Sequence, residues 1–328
     1  LFGGQEVPPP NDRIQEQREG SLTVRSAVPS AQETIDIFGS NLYARNVQPV
    51  WVEVRNAGER QLILAPMGLD SEYYSPRESA HRSAAPGGLT TINREFERRS
   101  VRRLLVAPDS VQSGYIFTQV DEGTKSFNVD VLGDEEPYAF TFFVPVPGLR
   151  IDHREVVFSE LYDDSERRDL KLPELISELE KMPCCVVDSA GKDKGDPLNL
   201  VIIGKALDLY HAFLRAGWDE TETINRSSLW KTAASAITGG AYRYSPVSAL
   251  YVFGRPQDIA LQRARGSIHL RNHLRLWLTP LTLNGTPVWI GQISRDIGVR
   301  FTWRTITTHK IDPDVDETRD FLLEDLAY

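Results

Sequence analysis

Cysteine is nearly absent. The 328-residue chain holds two, and they are neighbours, Cys184 and Cys185. A bond between neighbours closes a strained ring, so no ordinary structural disulfide is expected within the chain. Two cysteines also fall short of a four-ligand metal site. The pair reads as two small apolar residues packed in the interior. Long hydrophobic runs are missing too. No stretch of ~18 apolar residues occurs, so no membrane-spanning helix is expected. The longest apolar runs are strand-sized, such as Phe140-Thr-Phe-Phe-Val144. An excess of positive charge is also lacking. The formal net charge is -9 and the pI about 5.3, which argues against general nucleic-acid binding. Neither a charged n-region nor an apolar h-region opens the sequence, which begins Leu1-Phe-Gly-Gly and continues to Pro8-Pro-Pro10. Two expectations fit that beginning: a cytoplasmic chain, or one whose export signal has been removed. A Gly/Pro-rich start suits a tether.

What is present is ordinary for a soluble globular protein, with 41% hydrophobic and 25% charged residues. The length predicts two domains. Residues 1–20 read as a flexible arm. Residues 21–149 carry several short strands punctuated by Gly, Pro and Asp, which predicts an all-β sandwich of the Ig-like kind. Within it, Ser30 and Glu33 have the spacing of a capping box, so a short helix is expected through Ile35 and Phe38, stopping at Gly39. Val50, Val52 and Val54 alternate with Trp51, Glu53 and Arg55 as a strand does. The run Arg94-Glu-Phe-Glu-Arg-Arg99 reads as a solvated helix face or a mobile connection. Residues 150–183 are acidic and read as a bridge, with a helix over 172–180 that has Pro173 in its first turn.

Residues 184–328 predict an α+β domain with a mainly antiparallel sheet. Expected elements are a buried strand in 196–204, helices over 206–216 and 227–237, and a strand in 248–253. Asn284-Gly285 marks a tight hairpin. Strands follow over 287–293 and 298–303, then a last helix over 317–326 capped by Asp312 or Asp314. The most patterned stretch is Ser267-Ile-His-Leu-Arg-Asn-His-Leu-Arg-Leu-Trp277. At a period of two, Leu270, Leu274 and Leu276 share one face with Asn272. His269, Arg271, His273, Arg275 and Trp277 share the other. Trp277, Trp289 and Trp303 are expected to be packing residues.

The candidate site residues are therefore His269, Arg271, His273, Arg275, Arg295, Asp296, His309 and Asp312. Three readings stay open. Arginine holds phosphate or carboxylate bidentately and histidine shuttles protons near neutral pH, which points to hydrolysis or transfer at a phosphate or ester group. No nucleophile signature and no phosphate-binding glycine loop accompanies them. A shared metal is disfavoured, because His269 and His273 lie ~13 Å apart along an extended strand. The third reading is structural, with Asp296, Asp312 and backbone carbonyls answering the cations beneath the last helix. No cofactor and no metal is expected.

Several segments resemble the bacterial LssY-like C-terminal domain. They are Gly195-Asp-Pro-Leu-Asn-Leu-Val201, Tyr251-Val-Phe-Gly-Arg-Pro-Gln-Asp258, the Ser267–Trp277 stretch, Val288-Trp-Ile-Gly-Gln-Ile-Ser-Arg-Asp-Ile-Gly298 and Thr308-His-Lys-Ile-Asp-Pro-Asp-Val-Asp-Glu317. The resemblance covers roughly residues 184–326, and residues 20–150 look like the β-rich domain that often precedes it in envelope proteins. It implies a bacterial periplasmic or membrane-associated chain and supplies no reaction. The expected role is a non-catalytic accessory or structural subunit docking on a membrane protein complex, with a lipid anchor upstream of the given residues as a further expectation. Protein partners are expected, and nucleic acid is not.

Overall fold

The computed structural model of the chain describes residues 13–83, 89–121, 123–133, 137–147, 156–221, 249–264, 271–302 and 305–327, with backbone only at 89–91, 264, 296–302 and 305–311. The chain divides into two compact units, Leu1–Leu149 and Arg150–Tyr328.

The first unit opens with β1 (Gln15–Glu19) and β2 (Leu22–Ala27), followed by α1 (Ala31–Phe38) and β3 (Gln48–Asn56). After β4 (Leu62–Ala65) come α2 (Pro76–Ser83) and α3 (Leu89–Arg99), then β5 (Leu105–Val106), β6 (Ser110–Thr118), β7 (Thr124–Leu132) and β8 (Tyr138–Pro145). Two four-stranded sheets result, ordered β1-β2-β3-β6 and β5-β4-β7-β8. They share one core, in which Val24, Val52 and Val54 meet Leu64, Phe127, Val129 and Phe142.

Residues 15–19, expected within the flexible arm, form a strand. Gln15 to Glu19 pair antiparallel with β2, and the amides of Gln15 and Gln17 donate to the carbonyls of Phe143 and Thr141, both at 2.7 Å. Alternate glutamines tie this polar strand down. The other departure is on the outer face of the first sheet, where Trp51, Tyr115 and Phe117 carry Phe38 of α1, Ala80 of α2 and Phe96 of α3. The Arg94–Arg99 run thus belongs to a packed helix, with Phe96 facing in and Arg94 and Arg98 exposed. Burying one ring the size of Phe96 contributes about 2–3 kcal/mol. The capping box of α1 is present: Ser30 Oγ accepts from Glu33 N–H, and Glu33 accepts from Ser30 N–H.

The second unit begins with β9 (Arg168–Leu170) and α4 (Leu172–Leu179), then β10 (Cys185–Val187), β11 (Lys194–Pro197), β12 (Leu200–Ile203), α5 (Ala206–Arg215) and β13 (Asp219–Glu220). It continues with β14 (Tyr251–Val252), β15 (Arg255–Pro256), β16 (Ile259–Ala264), β17 (Arg271–Leu283), β18 (Thr286–Thr302), β19 (Thr305–Ile311) and α6 (Val315–Leu326). The expected helix at 227–237 and Trp303 lie outside the described residues. The main sheet runs β12-β18-β17-β16-β13, with β19 beside β18 and β9 beside β17. A small sheet runs β11-β10-β14-β15.

The stretch expected to bridge the domains belongs to this unit. Strand β9 pairs parallel with Leu281–Leu283, and Leu175 of α4 packs on Leu281 and Val288. The acidic charges occupy the outer side while an apolar stripe faces in. The separate strand expected at 298–303 is the second half of β18, which is 17 residues long. The hairpin between β17 and β18 turns at Asn284 (φ 49°) and Gly285 (φ 80°), both left-handed as a tight primed turn requires. Register in β17 shifts between Leu278 and Thr282, around Pro280, which has no N–H to give the ladder.

Candidate functional site

The main sheet is buried on both faces. One face carries Leu261, Leu274, Leu276 and Ile293 under Phe213 of α5 and Leu322 of α6. On the other, Trp277 and Ile290 meet Val186 of β10 and Val252 of β14. Along β17 that second face turns polar, with Arg275, His273 and Arg271 at 8, 7 and 5% exposure. Their spacing of two puts them on one side of the strand.

Register supplies their neighbours, since directly opposed side chains share a face. Arg275 stands between Ala260 and Gln292, and His273 between Gln262 and Ser294, with Asp219 beyond Gln262. The guanidiniums use amide oxygens. Arg271 Nη1 donates to Gln262 Oε1 at 2.9 Å, and Arg275 Nη1 donates to Gln292 Oε1 at 2.9 Å. Gln292 then passes the interaction on, its Nε2 donating to Asp196 Oδ2 of β11 at 3.0 Å. This chain of hydrogen bonds ties the small sheet to the main one.

Next to this row the Gly254-Arg-Pro-Gln-Asp258 motif forms a clamp. Arg255 Nε and Nη2 donate to the two carboxylate oxygens of Asp258, each at 3.0 Å. Asp258 also accepts from Leu278 N–H at 2.6 Å, and Arg255 reaches Leu278 O at 2.7 Å and the Tyr162 hydroxyl at 2.9 Å. Burial alone would lower the Arg255 pKa; its hydrogen bonds to Asp258 outweigh that and hold it above the ordinary value. Burial raises the Tyr162 pKa. Both effects stabilise the charged guanidinium beside a neutral phenol.

Of the eight sequence candidates, the structure brings together Arg271, His273 and Arg275. Arg295 does not join them. It stands opposite Asn272, so it lies on the other face, where its guanidinium is 3.7 Å from Asp312 and 3.8 Å from Glu317. Asp312 therefore answers Arg295 and not the buried row. The last helix likewise covers the apolar face, because Leu322 packs with Leu274 and Leu276. Its cap is Asp314, which accepts from Glu317 N–H at 3.0 Å. His269 lies outside the described residues, as do the side chains of Asp296 and His309.

Gln262, Gln292, Asp196 and Asp219 were missed as members of the row. A signal existed for the glutamines. In Ile259–Ala264, Gln262 alternates with Leu261, and in Ile290–Ile293, Gln292 interrupts an apolar pattern. Aligning the three strands side by side would have put both amides against the arginines.

The cysteine pair also differs from expectation. Cys184 and Cys185 are joined to each other, and Cys184 is exposed. The pair starts β10 at the surface, where Cys184 O accepts from Leu198 N–H at 2.9 Å, so it does not fill the core.

Among the described residues, no three His, Cys, Asp or Glu side chains converge to hold a metal ion. No helix among them is long and apolar enough to cross a membrane. Residues 179–328 match the family described as LssY C-terminus. No curated protein matches the chain.

Proposed function

We propose, from the premise that residues 179–328 are an LssY C-terminal domain, that the chain is a non-catalytic accessory or structural subunit of the bacterial cell envelope that docks on a membrane protein complex. In this reading the first unit is an Ig-like β-sandwich used as a scaffold. That step is an analogy from architecture to use.

The observation that carries the non-catalytic reading is the use of the arginines. Arg271 and Arg275 are buried, and each gives a guanidinium N–H to a glutamine oxygen on a neighbouring strand. Such a network fixes register and joins two sheets. A phosphate or ester site needs its cations turned toward a space a substrate can enter. Docking has its own support at β12, which is an edge strand of the main sheet among the described residues. Val201 and Ile203 of this strand, opposite Ile290 and Val288, are 47 and 42% exposed, so the covering of that face does not extend to the edge. An apolar, uncharged edge is suited to accept a strand from another protein.

The test combines His273→Ala and Arg275→Ala variants with purification from native membranes. The expected result is loss of folding stability in both variants and recovery of the wild-type chain with membrane subunits. Recovery only as a free monomer refutes docking. A variant that keeps wild-type stability but loses hydrolysis of a phosphate or ester substrate refutes the non-catalytic reading.

A further inference from the structure

The second unit holds a cavity apart from the buried polar row. Its volume is about 240 Å³, and Phe158, Leu278, Leu281 and Trp289 line it. It lies where Pro280 breaks the β17–β18 ladder, so the register shift there opens the space. Phe158 and Trp289 meet edge to face, with ring centroids 5.4 Å apart.

The polar atoms of the wall are used within the fold. Trp289 Nε1 donates to Gly204 O at 2.9 Å, Thr279 Oγ1 to Val288 O at 2.8 Å, and the Tyr162 hydroxyl to Leu278 O at 2.8 Å. The interior therefore offers apolar surface. The charged residues of the lining are Arg167 and Lys205, both exposed; the carboxylate of Asp169 stands behind the lining residue Thr282, from whose hydroxyl it accepts at 2.8 Å. Two cations in the lining are notable in a chain with 46 acidic residues against 37 basic ones. Arg167 Nη2 donates to Ser159 O at 2.5 Å and Tyr162 O at 3.2 Å, which anchors the guanidinium; among the described residues its other N–H groups have no partner. Lys205 makes no ion pair among the described residues.

We propose that this cavity binds a medium-chain acyl carboxylate, its tail against Leu278, Leu281 and Trp289 and its carboxylate between Lys205 and Arg167. Apolar walls whose charged lining residues are two cations are complementary to an anion that carries an apolar tail. At about 240 Å³ the space is smaller than the usual pocket for a drug-sized ligand, which suits a medium-length tail better than a long one. Cations at the rim also discriminate against an amine head of the same length.

The test is calorimetric titration of octanoate into the full chain, with 1-octanol, octylamine and acetate as comparators. Octanoate is expected to bind one per chain, about ten-fold tighter than 1-octanol and octylamine, with acetate giving no measurable heat. Lys205→Gln is an exposed substitution; Arg167→Gln gives up the bonds to Ser159 O and Tyr162 O, so the melting temperature of each variant is measured beside its titration. Each should weaken octanoate about two- to five-fold and leave 1-octanol unchanged. Equal affinities for octanoate and 1-octanol overturn the proposal. So does an affinity for octanoate that neither variant moves, or no heat from octanoate up to its solubility.

Discussion

Asp258 gives a test of how the small sheet is held to the large one. Its carboxylate is 2% exposed and accepts from Arg255 twice, at 3.0 Å each, and from Leu278 N–H at 2.6 Å. Asp258→Ala removes all three. A hydrogen bond to a charged group is worth about 1.5–3 kcal/mol, and losing one partner of a buried ion pair costs about 3–5 kcal/mol. The lower half of that range applies here. Arg255 keeps the Tyr162 hydroxyl and Leu278 O, and its side chain is 20% exposed, so water relieves part of its charge. The expected cost is about 3 kcal/mol. Arg255→Ala should cost a similar amount, since it leaves the carboxylate buried with Leu278 N–H alone. The two losses overlap, so the double variant should be about 2 kcal/mol less damaged than their sum. Urea unfolding of the full chain measures this if hydrogen exchange of the 251–258 and 276–283 peptides resolves the second unit. Single-variant costs under about 1 kcal/mol, or strictly additive losses, would refute the reasoning.

Gly114→Ala should destabilise the first unit by about 1–3 kcal/mol, because the added Cβ would lie 2.4 Å from Val101 N and 2.6 Å from Ser100 C; an unchanged melting temperature sinks the idea. Hydrogen bonds from Arg168 and then Lys181 hold the Glu178 carboxyl down to about 2. Its contribution to the contact between β9 and α4 is full above the ordinary value of 4.5 and disappears as pH falls through about 2. Carboxyl NMR should give a midpoint near that value, rising in Arg168→Gln; a native midpoint near 4.5 counts against it. The Cys184–Cys185 bond predicts no reactive thiol in the native chain without reductant and two with it. Replacing both by serine should cost at most about 1 kcal/mol, since the bond encloses one peptide link and constrains little unfolded chain. Thiols titrating before reduction would contradict the bond.

Local chemistry made some of this fold legible. Ser30 and Glu33 cap α1, Pro173 starts α4, and Asn284-Gly285 makes the hairpin, because each depends on residues within one turn of each other. The two faces of β17 were legible for the same reason. What period two leaves open is the element that covers each face. Strands β10 and β14 are three and two residues long, too short to show a pattern, yet Val186 and Val252 close the second face. The parallel pairing of β9 joins residues about a hundred positions apart and leaves no local mark. Asp312 looked like a partner for the arginine row through its charge alone. Register decides against it, since Arg295 opposes Asn272 and so leaves β17's polar side.

The buried row also shows why charge counting misplaces its partners. An amide between a guanidinium and a carboxylate can bond to both at once. Gln292 accepts from Arg275 with its oxygen and donates to Asp196 with its nitrogen, so each bond polarises the other. Gln262 accepts from Arg271 in the same way and stands opposite Asp219 in the ladder. An amide satisfies a donor and an acceptor at once only if both strands keep their register. The glutamines thus couple the two arginines to strand alignment.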